Sequence, residues 1–367
     1  MKIGIYGGAF NPLHTEHMNI ARHALEEGLD KIVFVPSHLP PHKTCSVDFD
    51  ARVEMLQCAI ADRADMEVCP IEGMSDTTHY TYRTLPMLKK WYGDIVFIIG
   101  GDSMIAFDHW MHPEEIIRIC PIWVYSRGDQ TQQLQQAVDK WRARGADIRI
   151  CSYCPRQISS TRIRYGLSLG ITDDVEPSVL PYIRENGLYQ DYAAMAATLR
   201  TMIAELTYEH ACSVAMYGLY LNETCNLGLD NDKVFVACLL HDCGKQWAKT
   251  CTDTAIVPAD AIGTPVAHQF AGAWLAEQTF GITDAEILQA IRRHCSAHPD
   301  MQTLDKVVYC ADKLELRRDY DGVDELRRAI EHDFEEGYRL VLRHACRYVT
   351  ENNQTLYPLT IQALQQI

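Results

Sequence analysis

The most informative part of this chain is the stretch Gly7-Gly8-Ala9-Phe10-Asn11-Pro12-Leu13-His14-Thr15-Glu16-His17 near the start of the sequence. It follows a short apolar run, Lys2–Tyr6, which predicts a buried strand. The two glycines let the backbone turn tightly and approach a ligand. On the first turn of a helix, His14 and His17 would share one face, beside unpaired backbone N–H groups and the positive end of the helix dipole. We therefore expect a polyphosphate site here.

Short β-rich runs alternate with helical stretches from this segment to about residue 190. The further predicted strands are Lys31–Val35, Met66–Cys69, Asp94–Ile99, Ile122–Tyr125 and Asp147–Ile150. Nearly continuous apolar strands separated by helices are typical of a parallel sheet covered on both faces, which binds ligands at the carboxyl ends of its strands. The expected fold class is a doubly wound, Rossmann-like α/β sheet.

The strand signals fade from about Ala193, and the rest of the chain has the pattern of helices joined by short loops. Val234–Leu240 resembles a strand in composition. It runs directly into His241-Asp242 and has no strand partners nearby, so we predict a buried helix there. The sequence therefore predicts two domains, residues 1–192 and 193–367, of which the second is all-α.

The composition excludes several classes of protein. A net charge of −15, from 34 basic and 49 acidic residues, argues against broad binding to nucleic acid or to an anionic membrane. No apolar run reaches the roughly 18 residues of a membrane span, and the start lacks the pattern of a signal peptide. Fourteen cysteines without an export signal indicate reduced thiols. We expect a soluble cytoplasmic protein with neither nucleic-acid nor membrane partners.

Four further segments follow predicted strands and complete the first candidate site. They are Pro40-Pro41-His42-Lys43, Tyr80–Leu85, Gly100-Gly101-Asp102 with Trp110 two turns later, and Ile158–Arg164. In the last segment, hydroxyls and backbone N–H groups at a helix start supply neutral donors. The guanidinium of Arg164 adds a planar fork that matches phosphate oxygens. The four segments are expected to meet at the carboxyl edge of the sheet.

Together these segments resemble the nucleotidyltransferases that carry an HxGH signature. The Pro-Pro-His-Lys, Tyr-Thr-x-x-Thr-Leu and Gly-x-Asp…Trp segments narrow the resemblance to the bacterial nicotinate-nucleotide adenylyltransferases, in order and over the whole first half. The resemblance implies transfer of AMP from ATP to nicotinate mononucleotide, giving deamido-NAD and pyrophosphate, with Mg²⁺ accompanying ATP. The alternative is another HxGH adenylyltransferase, acting on phosphopantetheine or on nicotinamide mononucleotide.

Residue roles follow from this chemistry, which needs in-line positioning and neutralisation of charge. His14 and His17 are predicted to donate to the triphosphate. Lys43 and Arg164 are predicted to hold the departing pyrophosphate. Binding of the two substrates is assigned to Gly8, Ala9, Phe10, Ser159, Ser160 and Thr161 and, by the resemblance, to Asp102 for the ribose and to Thr84 and Trp110 for the nicotinate ring.

Glu16 departs from the HxGH pattern, which has glycine at this position. A glutamate suits the positive end of a helix dipole. If its side chain pointed inward, however, it would bring negative charge and bulk close to the phosphates. Because the other segments are intact, we expect the side chain of Glu16 to point away from the nucleotide.

The second half carries a pattern of metal ligands. They are His210, His241, Asp242, His268, His294 and Asp312, each expected within a helical segment. Imidazoles and carboxylates suit Fe, Mn, Co, Zn or Mg and do not form a thiolate site. Two metal ions that share Asp242 would generate a hydroxide and clamp a phosphate. Lys245, one turn after His241, is predicted to contact that phosphate.

The order His…His-Asp…Asp resembles the HD superfamily of metal-dependent phosphohydrolases. Over roughly residues 199–328 the surrounding segments are similar to bacterial enzymes that cleave diadenosine tetraphosphate symmetrically into two ADP. The resemblance implies two divalent or mixed-valent ions, iron first, with Mn, Co or Zn as alternatives. A non-catalytic nucleotide sensor and a phosphodiesterase for cyclic or guanosine nucleotides are the competing functions. We predict a bifunctional enzyme, with the formation of a homo-oligomer left open.

Overall fold

The computed structural model describes residues 1–38, 45–74, 79–128 and 131–367. These residues form two compact units, Met1–Gln190 and Asp191–Ile367. The division lies close to the boundary expected after residue 192. None of the helices in the described ranges is long and apolar enough to cross a membrane.

A parallel sheet forms the centre of the first unit. Its strands among the described residues are β1 (Lys2–Gly8), β2 (Lys31–Pro36), β3 (Met66–Val68), β4 (Asp94–Gly100), β5 (Ile122–Tyr125) and β6 (Ile148–Ile150). They lie in the order β3-β2-β1-β4-β5-β6, and each neighbouring pair is parallel. The predicted Rossmann-like fold is confirmed. The strand order reverses between β1 and β4, which is where folds of this kind bind ligands.

Helices cover both faces of this sheet. They are α1 (Thr15–Glu26), α2 (Phe49–Ile60), α3 (Thr81–Tyr92), α4 (Gly101–Ile105), α5 (Pro113–Ile119), α6 (Thr131–Arg142), α7 (Ser160–Ser168) and α8 (Leu180–Glu185). Successive strand residues alternate between two buried clusters, with Tyr6 and Phe34 in one and Ile5 and Val33 in the other. Since α1, α4 and α7 each follow a strand, their N-termini lie at the carboxyl edge.

The second unit is helical throughout. Its helices are α9 (Ala193–Met202), α10 (Glu205–Thr224), α11 (Asn231–Leu240), α12 (Ala267–Phe280), α13 (Ala285–Arg293), α14 (Thr303–Leu314), α15 (Val323–His332), α16 (Phe334–Glu351) and α17 (Pro358–Leu364). The strand-like segment Val234–Leu240 lies in α11 and is buried along its whole length. The prediction of a buried helix is confirmed. Its apolar residues run without a break because α11 packs against α10, α13 and α14.

Candidate active sites

The two histidines of the opening segment stack on one another. His14 precedes the first residue of α1 and His17 lies in its first turn, with ring centroids 3.6 Å apart. The backbone N–H of His14 donates to Nδ1 of His17 over 3.3 Å. An accepting ring nitrogen carries no proton, so neutral His17 is protonated on Nε2. Burial, together with the charge of Arg127, lowers the pKa of His14 to about 4, so His14 is neutral near pH 7.

The loop between β1 and α1 is held by aromatic packing. Phe10 has a φ of 47°, in the left-handed region that L-residues rarely occupy. Its buried ring contacts Tyr6, His17 and Phe34 at centroid distances of 5.6, 5.1 and 5.6 Å. A Cβ at Gly8 would stand 3.0 Å from the Phe10 ring, so glycine suits the end of β1. The contacts with Phe10 therefore fix the path of the backbone that leads to His14.

A buried arginine joins the ends of β1 and β2. Arg52 is 1% exposed, and its Nη1 donates to the carbonyl oxygens of Ala9 and Ser37 over 2.8 and 2.7 Å. Its Nη2 donates to the carbonyl oxygen of His38 over 3.2 Å. The guanidinium therefore fixes two strand-end loops through their main chains. The second of these loops continues to Lys43, and the predicted segment Pro40–Lys43 lies outside the described residues.

The segment after β6 carries the remaining residues predicted to donate hydrogen bonds to phosphate, and it lies against the loop between β1 and α1. Ser159 caps α7, its hydroxyl accepting from the backbone N–H of Arg162 over 3.4 Å, and Ser160 is the first residue of that helix. Arg164 donates to Thr161 Oγ1 over 3.2 Å and to the carbonyl oxygen of Asn11 over 2.9 Å. Arg164 thus reaches the opening loop three residues before His14.

The residues predicted for ribose and nicotinate follow β3 and β4. The buried hydroxyl of Thr84, in the first turn of α3, lies 3.4 Å from a carboxylate oxygen of Glu72. Burial raises the pKa of Glu72 to about 7. Asp102 is exposed in the first turn of α4. The Trp110 ring packs 5.2 Å from that of Phe107, which anchors one side of the indole to the core.

The side chain of Glu16 is directed toward the segment that follows β6. Its carboxylate accepts from Tyr153 Oη over 2.7 Å and from Arg156 Nε over 3.0 Å. Burial raises the pKa of Glu16, but the hydrogen bonds from Tyr153, Arg156 and Asn19 outweigh it and hold the pKa below its usual value. A charged carboxylate therefore sits one residue before His17, with its charge opposed by Arg156.

Two arginines near this site were not predicted. Arg127 follows β5, and its Nη2 lies 3.5 Å from the carbonyl oxygen of Ile158. Its position shortly after a predicted strand could have identified it as a candidate site residue. Arg52 gave no such signal, because its role depends on burial against backbone carbonyls from other parts of the chain.

In the second unit the structure brings the six predicted metal ligands together. Potential ligand atoms lie within 4.8 Å of one another in the groups His210, His241, Asp312 and His241, Asp242, His294. His268 joins them, since its Nε2 is 3.2 Å from Asp242 Oδ1 and 2.9 Å from His294 Nε2. His241 belongs to both groups, so its Nε2 lies close to the carboxylates of Asp242 and Asp312.

Three of these ligands lie just beyond helix ends rather than within helices, which corrects the expectation. His241 and Asp242 follow the end of α11, and His294 follows the end of α13. The turn after α11 passes close to α12, because a Cβ on Gly244 would stand 2.5 Å from the carbonyl oxygen of His268. This close approach brings Asp242 against His268.

The imidazole rings are oriented by their other nitrogens. Nδ1 of His241, His268 and His294 donates to the carbonyl oxygen three residues earlier, over 2.7, 2.6 and 2.8 Å. Nδ1 of His210 contacts the Glu315 carboxylate over 3.0 Å. Because a carbonyl oxygen only accepts, Nδ1 of His241, His268 and His294 carries a proton, and in the neutral ring Nε2 presents a lone pair.

This set of donors fits a metal ion. Nε2 of His241 is buried and makes no hydrogen bond with the described residues. The Nε2 atoms of His268 and His294 face one another at 2.9 Å. Burial lowers the pKa of His241 to about 3. The neighbouring histidines keep the pKa of Asp242 well below its usual value although burial opposes this. Burial opposes it, but the hydrogen bonds to Asp312 and Glu315 raise the pKa of His210 above its usual value. Unprotonated imidazole nitrogens and ionised carboxylates are the forms that bind divalent ions.

Charged side chains surround the carboxylate ligands. Lys245 Nζ donates to Asp242 over 2.7 Å, and Arg318 donates to Asp312 over 2.8 Å. Glu315, which orients His210, was not predicted. It lies three residues after Asp312, a spacing that places two residues on the same face of a helix. This spacing from a predicted ligand could have identified Glu315 as a candidate site residue.

Comparisons with known proteins assign both units. Residues 5–166 match the cytidylyltransferase-like family, and residues 207–317 match the HD domain. A Mycoplasma genitalium protein named probable nicotinate-nucleotide adenylyltransferase/Ap4A hydrolase is 26% identical over 367 residues, covering 95% of this chain and 99% of the relative. A probable nicotinate-nucleotide adenylyltransferase from Neisseria meningitidis serogroup C is 32% identical over 198 residues, covering 52% of this chain and 98% of the relative.

Among solved structures, a predicted HD superfamily hydrolase involved in NAD metabolism, from Clostridium acetobutylicum, is 28% identical with a TM-score of 0.44. It covers 48% of this chain and 96% of its own. This chain thus covers nearly the whole length of the relative from Neisseria, at more than 30% identity. The chain therefore belongs to the nicotinate-nucleotide adenylyltransferase family, and its second unit contains an HD domain.

Proposed function

We propose that the first unit transfers AMP from ATP to nicotinate mononucleotide. A phosphate oxygen of the mononucleotide attacks the α-phosphorus of ATP, the bond from that phosphorus to the β-phosphate oxygen breaks, and pyrophosphate leaves. The observation that carries the proposal is the stacked pair His14–His17, joined through one loop to Arg164. Membership of the adenylyltransferase family supports the same reaction.

The residues of this unit supply positioning and hydrogen bonds rather than covalent chemistry. His17, protonated on Nε2, and neutral His14 donate to oxygens of the α-phosphate. Arg164 and the capped start of α7, with Ser159, hold the pyrophosphate. Such preorganised donors stabilise the charge that develops in the transition state. Lys43 adds a cation to the same phosphates, and Mg²⁺ bound with ATP supplies further neutralising charge.

Recognition of the second substrate belongs to the neighbouring strand ends. Thr84 and Trp110 contact the nicotinate ring, Asp102 accepts from a ribose hydroxyl, and Gly8, Ala9 and Phe10 line the phosphates. The positions of these residues after β1, β3 and β4 support this assignment. We assign this domain to residues 1–192 and the hydrolase domain to residues 193–367.

For the second unit we propose hydrolysis of diadenosine tetraphosphate or a similar nucleotide polyphosphate at a binuclear metal site. Its supports are the convergence of four imidazoles and two carboxylates and the name of the Mycoplasma relative. Two ions, iron first and otherwise Mn, Co or Zn, when bound supply a hydroxide and positive charge toward the phosphate. The residues that would hold these ions are His210, His241, His268, His294, Asp242 and Asp312.

The other residues of this site bind and orient the substrate. Lys245, close to Asp242 and half exposed, contacts a substrate phosphate. Symmetrical hydrolysis adds water across the central P–O–P linkage and releases two ADP. The fourteen thiols of the sequence favour a cytoplasmic location for both reactions.

A pair of variants tests both activities, and each serves as the control for the other. His17→Ala should suppress formation of deamido-NAD at least 100-fold and leave polyphosphate hydrolysis within twofold of wild type. Asp242→Ala should remove bound metal, measured by elemental analysis, and hydrolysis, while leaving adenylyl transfer intact. Full hydrolysis by Asp242→Ala would contradict the metal site. A wild-type preference for phosphopantetheine or nicotinamide mononucleotide would contradict the choice of acceptor.

A further inference from the structure

Glu16 joins two distant parts of the first unit. Its side chain is 3% exposed, and four hydrogen bonds reach its carboxylate. The donors are Asn19 Nδ2 at 3.0 Å, Tyr153 Oη at 2.7 Å, and the backbone N–H and Nε of Arg156 at 3.2 and 3.0 Å. Three of these four donors come from a segment 137 to 140 residues later in the chain.

Each of the two parts that Glu16 joins carries a group of hydrogen-bond donors proposed to contact the phosphates of the nucleotide. α1, which contains Glu16, begins directly after His14. The segment Tyr153–Arg156 ends three residues before Ser159, the cap of α7. Pro155 lies inside this segment and restricts its backbone. Any shift of Tyr153–Arg156 relative to α1 therefore moves the Ser159–Arg164 donors relative to His14 and His17.

Arg156 extends the connection to a third segment. Its Nη2 donates to Thr15 Oγ1 over 3.2 Å, and its Nη1 lies 3.4 Å from Asp174 Oδ1. The backbone N–H of Thr15 in turn donates to the carbonyl oxygen of Asp174 over 3.0 Å. The Arg156 side chain is 62% exposed, whereas that of Glu16 is buried, so solvent weakens the arginine end of the ion pair most. The buried carboxylate is the fixed point of this network.

We propose that Glu16 is a positioning residue for adenylyl transfer. Through Tyr153 and Arg156 it sets the separation between the donors that face the α-phosphate and those that hold the pyrophosphate. The inference rests on the function proposed for the first unit. A glycine at this position has no carboxylate to make the connection, so this chain holds its phosphate site differently from one with the HxGH pattern.

The test is a comparison of kcat and KM for Glu16→Gly and Glu16→Gln. A loss of positioning should lower kcat by about 10- to 100-fold in Glu16→Gly, because misplacement of about 1 Å has effects of that size. The KM for ATP should change less than threefold, since the donors themselves remain. Glu16→Gln keeps the shape and one accepting oxygen, so its kcat should fall between wild type and Glu16→Gly.

Two further variants separate positioning from general damage to the helix. Glu26→Gly places a glycine at an exposed position of the same helix and should leave kcat unchanged. Tyr153→Phe removes one donor to Glu16. If Tyr153 acts only through Glu16, the two effects on kcat are not additive. The double variant Glu16→Gly, Tyr153→Phe should then have the same kcat as Glu16→Gly alone.

Binding stoichiometry completes the design. Glu16→Gly should bind one ATP per chain at saturation, as wild type does, while its kcat falls. An unchanged kcat would overturn the positioning role, and so would a fall in kcat matched by an equal fall in the number of ATP molecules bound per chain. Neither outcome would contradict the proposed function. Wild-type protein that forms no dinucleotide from ATP and nicotinate mononucleotide would overturn the proposed function, and this inference with it.

Discussion

Replacing Glu315 by glutamine should weaken metal binding in the second unit without unfolding it. The Glu315 carboxylate is 2% exposed. One of its oxygens contacts His210 Nδ1 at 3.0 Å, and the other accepts from the Ser213 hydroxyl and from the backbone N–H of Arg317. Both oxygens therefore face donors. A glutamine offers one oxygen and one NH₂ group in the same space, so its NH₂ group must face a group that is itself a donor.

The favoured amide orientation keeps the oxygen toward Ser213 and Arg317, where two donors converge. The NH₂ group then faces His210 Nδ1, which must give up its proton to accept. His210 becomes protonated on Nε2, the atom that faces Asp312 at 3.0 Å. That nitrogen can no longer bind a metal. Loss of such a supporting carboxylate lowers metal affinity by about 10- to 100-fold, or roughly 1.4–2.7 kcal/mol.

A competition titration with a chromogenic chelator would measure this difference, using Mn²⁺ as the probe ion. Glu325→Gln, at an exposed position of α15, is the matched control and should bind as wild type does. Hydrolysis by Glu315→Gln should be reduced at limiting metal and recover in excess metal. A metal affinity for Glu315→Gln within about twofold of wild type would refute the reasoning about the His210 tautomer, whatever its activity.

Three further outcomes are expected. As the pH falls from 6.5 to about 4, the first unit should lose up to about 3 kcal/mol of stability through His14. Burial lowers the pKa of His14 to about 4, so the unfolded chain takes up the proton before the folded chain does. Urea titrations of His14→Gln should lack this part of the pH slope, and a slope identical to that of wild type would contradict the prediction. Arg52→Met should lower stability by about 3 kcal/mol or more, because the hydrogen bonds from the guanidinium to four backbone carbonyls are lost. A loss below about 1 kcal/mol, relative to Arg22→Met, would count against the role of Arg52. Chelation of bound metal should lower the unfolding temperature of the second unit and leave that of the first unchanged, and calorimetry showing no shift would argue against a resident ion.

Much of the first unit could be predicted because its signals are local. The apolar run of β4 and the helical spacing of α6 are each readable within about a dozen residues. Parallel strands end at one edge, so residues that follow strands, such as His14 and Arg164, were expected to meet there. The contact of Arg52 with carbonyls 15 and 43 residues away has no local signal. A buried arginine bonded to main chain looks in sequence like any surface arginine.

The six predicted metal ligands of the second unit show the same division. They were chosen by residue type and order along the chain, and the structure brings all six together. Their exact positions at helix ends did not follow, because the turn after α11 depends on how closely Gly244 approaches α12. Likewise the side chain of Glu16 was expected to point away from the nucleotide, but its partners Tyr153 and Arg156 required the fold.

The bonding of Arg52 to main chain bears on how this active site can evolve. Carbonyl oxygens are present whatever side chain a residue carries, so mutations at Ala9, Ser37 or His38 leave the acceptors of Arg52 in place. The lining of the nucleotide crevice can therefore change its chemistry while the backbone keeps its course. The preference for one mononucleotide over another could then shift without any change in the two loops that Arg52 holds.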